Sequence, residues 1–157
     1  MRLCNSTLVL VVDGSRMMIL RNIGDEVYPN FEVIEHCRFD NQPDRQLARD
    51  APGVAFSTGN PGRDTMDEGS LHQTQEDRFI LAALNAVSTR LSSGSAGAEP
   101  AQDLIIAAPP HALGLMRKHY DRTILAHLAG EVSKDLTKHP VNEIASHLIA
   151  EDEASDE

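Results

Sequence analysis

The chain contains no tryptophan, and aromatic residues make up only 4% of its 157 positions. Its core must therefore be aliphatic, and it offers no platform on which nucleic-acid bases would stack. Cysteine is almost as scarce: Cys4 and Cys37 stand far apart, with no CxxC pair and no Cys/His cluster of metal-ligand spacing. That excludes a zinc module and reads as two buried, small apolar side chains in a reducing compartment. Long apolar runs are missing too. The stretch 8–12 (LVLVV) meets Asp13-Gly14 at once, too short for a secretory core and far below the roughly 20 residues that span a bilayer. A cytoplasmic protein without a membrane partner is expected. No P-loop, GxGxxG, HExxH or GxSxG motif occurs, so neither a cofactor nor a metal is expected.

What is abundant is negative charge. The chain carries 24 acidic and 14 basic residues, a net charge of −10. Half of that excess lies in the last seven residues, EDEASDE, which read as a disordered acidic tail, 151–157, behind a single domain, 1–150. A negative field repels polyphosphates, so DNA and a broad nucleic-acid surface are disfavoured, although a local basic patch survives that argument.

Residues 7–12 and 17–20 are apolar and flank Asp13-Gly14-Ser15, the pattern of two strands around a tight turn. Residues 31–39 (FEVIEHCRF) alternate as a third strand. A stretch rich in Gly, Pro, Asp and Arg follows, 40–75, and is expected to be a long loop with one helical turn at 44–49. From Glu76 to Leu91, with Thr74 able to cap, Phe79, Ile80, Ala83, Leu84 and Val87 share one helical face. After a small polar linker, 92–102, the run LIIAA reads as a central strand covered on both faces. Pro109-Pro110 ends it and starts a helix that carries Leu113 and Met116, because proline suits a first turn whose amides lack intrahelical partners. Residues 123–132 read as a helical turn leading into a strand at 128–132, and Pro140 opens a last helix with Val141, Ile144 and Leu148 on one side. The order β-β-β-α-β-α-β-α predicts an α/β, ribonuclease H-like three-layer domain. Its mixed sheet has three antiparallel strands, then parallel ones, with helices on both faces.

Asp13 stands where such folds hold a first metal-binding carboxylate. Two-metal hydrolysis needs several carboxylates around ions about 3.5–4 Å apart, and the central strand ends in Ala107-Ala108-Pro109-Pro110 where a second acid belongs. Asp-Gly as turn chemistry is the better reading, with a metal-dependent hydrolase or nuclease using Asp13 and an acid such as Glu76 or Asp77 as the alternative. His111 sits in the first turn of the helix at the carboxyl end of the central strand, a rim that favours ligands in open α/β sheets. Arg45 and Arg49 are spaced to share a helical face that could clamp phosphate or carboxylate, though the acids interleaved with them favour local pairing. Binding candidates are therefore Asp13, Ser15, Arg16, Arg45, Arg49, Pro109, Pro110, His111 and Arg117, and no catalytic residue is assigned.

Several segments together resemble a bacterial family called host attachment proteins. They are Val11 through Arg16, Asp44-Arg45-Gln46-Leu47 with Pro52-Gly53 and Phe56, Ala108-Pro109-Pro110-His111-Ala112-Leu113-Gly114, and Lys134-Asp135-Leu136-Thr137 with Pro140. That family is similar to the central domain of archaeal and eukaryotic peptide release factors. The resemblance implies a non-enzymatic binding module with a ribosome or RNA partner. The Gly-Gly-Gln tip on which release-factor catalysis depends does not occur here, so peptidyl-tRNA hydrolysis is not implied.

Overall fold

The structure is a computed structural model and describes residues 3–38, 64–93 and 103–155. Its strands are β1 (Leu8–Val12), β2 (Arg16–Asn22), β3 (Phe31–Arg38), β4 (Leu104–Ala107) and β5 (Leu128–Val132). The helices are α1 (Asp64–Ser93), α2 (Pro110–Arg117), α3 (Arg122–His127) and α4 (Val141–Ser155). The sheet order is β3-β2-β1-β4-β5. β1 pairs antiparallel with β2 and β2 with β3, whereas β1, β4 and β5 run parallel. This is the mixed three-layer arrangement expected from the order of apolar runs.

β1 and β4 are buried along their whole length, which explains why both read as unbroken apolar runs. Their side chains alternate between two cores. On one face Leu8, Leu10, Val12 and Ile106 meet Ile80, Leu84 and Val87 of α1, Leu113 and Met116 of α2 and Ile124 of α3. On the other face Val9, Val11 and Ile105 meet Ile144 and Leu148 of α4 together with Leu136. Each such aliphatic side chain contributes roughly 1.5–3 kcal/mol by leaving water, so the two cores hold the sheet between the helical layers.

Three expected boundaries move. Helix α1 begins at Asp64, well before Glu76, so part of the expected loop 40–75 is helical and Thr74 lies within the helix instead of capping it. Its opening residues, DTMDEGSLHQTQ, show no apolar stripe in the sequence that would betray a helix. The linker correspondingly starts after Ser93. Helix α4 continues to Ser155, so residues 151–155 are helical where a disordered tail was expected. Ala150, Glu151, Glu153 and Ala154 are good helix formers, and Lys134 forms an ion pair with Glu151. The expected helical turn at 44–49, with Arg45 and Arg49, lies outside the described residues. The cysteines are not the buried pair expected: Cys4 is half-buried, and Cys37 is exposed on the outer strand β3. None of the helices described is long and apolar enough to cross a membrane.

Candidate functional site

The parallel strands β1, β4 and β5 end on one rim of the sheet, and most of the candidate residues collect there. Asp13 follows β1 and is buried. Its Oδ1 accepts the backbone N–H groups of Ser15 and Arg16, each at 2.7 Å, and the Ser15 hydroxyl at 3.1 Å. The Asp13 amide in turn donates to the Arg16 carbonyl at 2.9 Å. The carboxylate therefore performs the turn chemistry expected of Asp-Gly, satisfying amides that the hairpin bend would leave unpaired.

The other carboxylate oxygen looks across the sheet. Asp13 Oδ2 accepts the hydroxyl of Thr137 at 2.6 Å, from the segment that joins β5 to α4. Thr137 Oγ1 also lies 2.6 Å from Asp135 Oδ1, which accepts the Thr137 amide at 3.1 Å. A hydroxyl has one proton, so it serves one aspartate at a time. Burial, the largest influence on Asp13, raises its pKa; donation from Thr137, from the amides of Ser15 and Arg16 and from the Ser15 hydroxyl outweighs it. The carboxyl is thereby held below the ordinary aspartate value.

Gly14 lets α1 approach this turn. A Cβ built there would lie 3.0 Å from the Glu76 carboxyl carbon, so the Glu76 side chain lies against the hairpin tip. Even so, no group of three His, Cys, Asp or Glu side chains among the described residues has a geometry that could hold a metal ion. Asp13 and Asp135 share the Thr137 hydroxyl, and Asp77 is engaged with Gln73.

Pro109 and Pro110 form the start of α2 as expected, Pro109 at the cap with extended backbone and Pro110 at the first helical position. His111 follows and is exposed. Its Nε2 lies 2.8 Å from Gln73 Nε2 and 3.4 Å from Asp77 Oδ1, and Gln73 Nε2 donates to the same Asp77 oxygen at 2.9 Å. These contacts join the first turn of α2 to α1. Arg117 is elsewhere, at the far end of α2, where its Nε donates to Glu131 Oε2 at 2.7 Å. Both charges act on the half-buried Tyr120, whose hydroxyl pKa is pushed up to about 12 by burial first and then by the negative charge of Glu131.

The rim thus brings together Asp13, Ser15, Arg16, Pro109, Pro110 and His111 and leaves Arg117 apart. Thr137, Asp135 and Gln73 belong to the same rim and were not among the binding candidates read from the sequence. Asp135-x-Thr137 just after a strand was the available signal, since a carboxylate two residues before an amide favours a local turn.

All of this rim lies within residues 6–148, which match the family model of bacterial archaeo-eukaryotic release factor family 12. The chain belongs to that family. The match runs from just before β1 to the middle of α4, so it takes in every side chain of the two cores except Leu3, and Asp13, His111 and Thr137 alike. No curated protein matches the chain. Like its resemblance to release factors, membership in family 12 attaches to the whole folded domain, and the sequence contains no Gly-Gly-Gln.

Proposed function

We propose that this member of family 12 is a cytoplasmic, non-enzymatic binding module that docks on the ribosome or its RNA in a translation-related role, release-factor-like but without a hydrolytic tip. The observation that carries this reading is the family match across residues 6–148 in a chain that lacks the Gly-Gly-Gln needed for peptide release. The state of Asp13 supports it as well. An acid whose two oxygens already accept from Ser15, Arg16 and Thr137 serves as a structural clasp for the rim. On this reading Ser15, Arg16, Pro109, Pro110 and His111, with Arg45 and Arg49 of the long segment, present the contact surface. Any influence on attachment to host cells is then an indirect result of altered translation.

The test is sedimentation of the full chain with purified bacterial ribosomes through a sucrose cushion. Co-pelleting that persists in Asp13→Asn, without release of peptide from peptidyl-tRNA, is expected. A chain that stays in the supernatant at micromolar ribosome concentration overturns the reading.

A further inference from the structure

The end of the sheet opposite the Asp13 rim carries a loop that is firmly hydrogen-bonded and yet apolar at its tip. Residues 23–30 join β2 to β3 there, beyond the Leu8 end of β1. The fully buried Asn22 ties both ends of this loop. Its Oδ1 accepts the amides of Gly24 and Asn30, each at 3.0 Å, and its Nδ2 donates to the carbonyls of Leu3 and Cys4 at 2.7 Å and 3.0 Å. Within the loop Asp25 Oδ1 accepts the amides of Val27 at 2.9 Å and Tyr28 at 2.7 Å. Those two residues are nonetheless 74% and 79% exposed. Neither packs into either core, so the fold gains nothing from holding their apolar side chains in place.

Beside the loop a groove of about 450 Å³ separates the start of β3 from α4, with Pro29 and Phe31 on one wall and Val141, Ala145 and Ile149 on the other. Of the seven large hydrophobic side chains exposed among the described residues, five belong to this region: Ile23, Val27 and Tyr28 on the loop, Ile149 in the groove, and Val33. Register opposite Leu20 puts Val33 on the α4 face of the sheet together with Phe31. Single apolar side chains on a surface are ordinary, but a cluster of them beside a groove marks a contact surface. Because hydrogen bonds already hold the loop, covering it costs little further ordering. Acids flank the patch on both elements. Asp25 and Glu26 precede Val27, and the α4 stripe of Val141, Ala145 and Ile149 runs on into Asp152 and Glu153, three and four residues further. No lysine or arginine occurs from Asn22 to Glu35 or from Val141 to Ser155, and Lys134, which reaches α4 from outside, is paired with Glu151.

We propose that this patch docks a basic polypeptide segment with apolar or aromatic anchors. The anchors fill the groove and cover Val27 and Tyr28, while the cations around them meet Asp25 and Glu26 on the loop and Asp152 and Glu153 on α4. A second copy of this chain is a poorer occupant. An isologous contact sets the patch against itself, and a patch flanked by acids with no cation of its own cannot neutralise its copy. A nucleic acid meets the same carboxylates and is repelled by them. The surface lies at the other end of the sheet from Asp13 and His111, so it is a second contact site that stands whether or not the ribosome reading does.

The probe is a labelled synthetic amphipathic peptide of leucine, phenylalanine, lysine and arginine, titrated with the full chain by fluorescence anisotropy. Tyr28→Ser with Ile149→Ser is expected to weaken binding about tenfold or more, the loss typical of an interface anchor. Leu125→Ser, at another exposed apolar position outside the patch, leaves it unchanged. Glutamate in place of the peptide's cations weakens binding by a similar factor, and the amides of Asn30 and Ala145 shift when the cationic peptide is added. Thermal midpoints check that the variants fold, and Tyr28→Ser alone, at the more exposed position, carries the test if the double variant does not. Binding that ignores these substitutions, or that is as tight for an isomer with scrambled anchors, is general attraction between opposite charges and overturns the proposal. Equal binding of the glutamate peptide, or no binding of the cationic one, overturns it too. A chain that sediments as a dimer dissociated by Tyr28→Ser shows that a second copy covers the patch, and binding of an RNA hairpin that depends on Tyr28 shows a nucleic acid there; either result also overturns it.

Discussion

Thr137 reaches across 124 positions of sequence to donate its hydroxyl to Asp13 Oδ2 at 2.6 Å. This bond ties the β1–β2 hairpin to the segment between β5 and α4, two parts of the rim that no strand pairing joins directly.

Replacing Thr137 with valine keeps the shape and removes the donor, leaving a buried carboxylate oxygen short of a partner. A loss of about 1–3 kcal/mol is expected, the cost of an unsatisfied buried polar atom, with Thr137→Ser close to wild type. Urea denaturation measures it. A valine variant within about 0.5 kcal/mol of wild type, the ordinary range for surface changes, would show that the bond holds nothing together.

The depressed pKa of Asp13 links the same site to acid stability. Above the ordinary aspartate value of 3.8 the carboxyl is ionised in both states and its stabilising contribution is complete. As the pH falls below that value the unfolded chain takes up the proton first, and the contribution is lost on the way down to the folded pKa. Asp13→Asn should accordingly be less stable at neutral pH and show a shallower decline between about pH 5 and pH 2. Denaturant midpoints recorded across that range for both proteins decide the matter; parallel curves count against it.

Two glycines should respond to alanine in opposite directions. At Gly24 a Cβ would lie 2.2 Å from the Tyr28 carbonyl oxygen and 2.8 Å from the Asn30 amide nitrogen, both backbone atoms that cannot step aside. Gly24→Ala is expected to cost about 1–3 kcal/mol or more, as overpacking does. At Gly114, inside α2, a Cβ meets nothing within 4 Å, so Gly114→Ala should stabilise by about 0.5–1 kcal/mol through helix entropy. Thermal unfolding should place the two variants on either side of wild type, and a lowered midpoint for Gly114→Ala would refute the second expectation.

Asp121 caps α3 through the Ile124 amide and holds the helix to Ser88 of α1. The Ser88 hydroxyl, more than the Ile124 amide, keeps its carboxyl below the ordinary range. Asp121→Ala should destabilise the protein by about 0.5–2 kcal/mol, with Asp121→Asn milder. Amide exchange at Ile124 and Leu125 should accelerate in the alanine variant, and unchanged exchange there would argue against the cap.

The parts of this fold that were legible in the sequence are those in which burial imposes a period. Leu8 to Val12 and Leu104 to Ala107 read as central strands because both faces are covered, and Val141, Ile144 and Leu148 read as a helix because one face is. The opening of α1 has no such imprint, since residues such as Glu68, Gln73 and Gln75 are polar on every side and the apolar stripe begins only with Phe79 and Ile80. At the rim, the turn role of Asp13 was visible in Asp-Gly itself. Its bond to Thr137 was not, because it arises from the parallel register that brings the ends of β1, β4 and β5 to one edge, and no local pattern encodes that. The meeting of His111 with Gln73 escaped for the same reason, with half of it hidden in a stretch that looked like loop.

The position of β4 bears on how the chain is made. Leu8 in β1 lies opposite Leu104 in β4, so the hairpin emerges from the ribosome long before the strand that completes its inner flank. During that interval β1 offers an open row of amides and carbonyls and two greasy faces, the conditions under which half-built sheets adhere to one another. Fragments that stop short of residue 104 should therefore precipitate when expressed alone. Until residues 104–107 have been made, the first strand has a native neighbour on one side only.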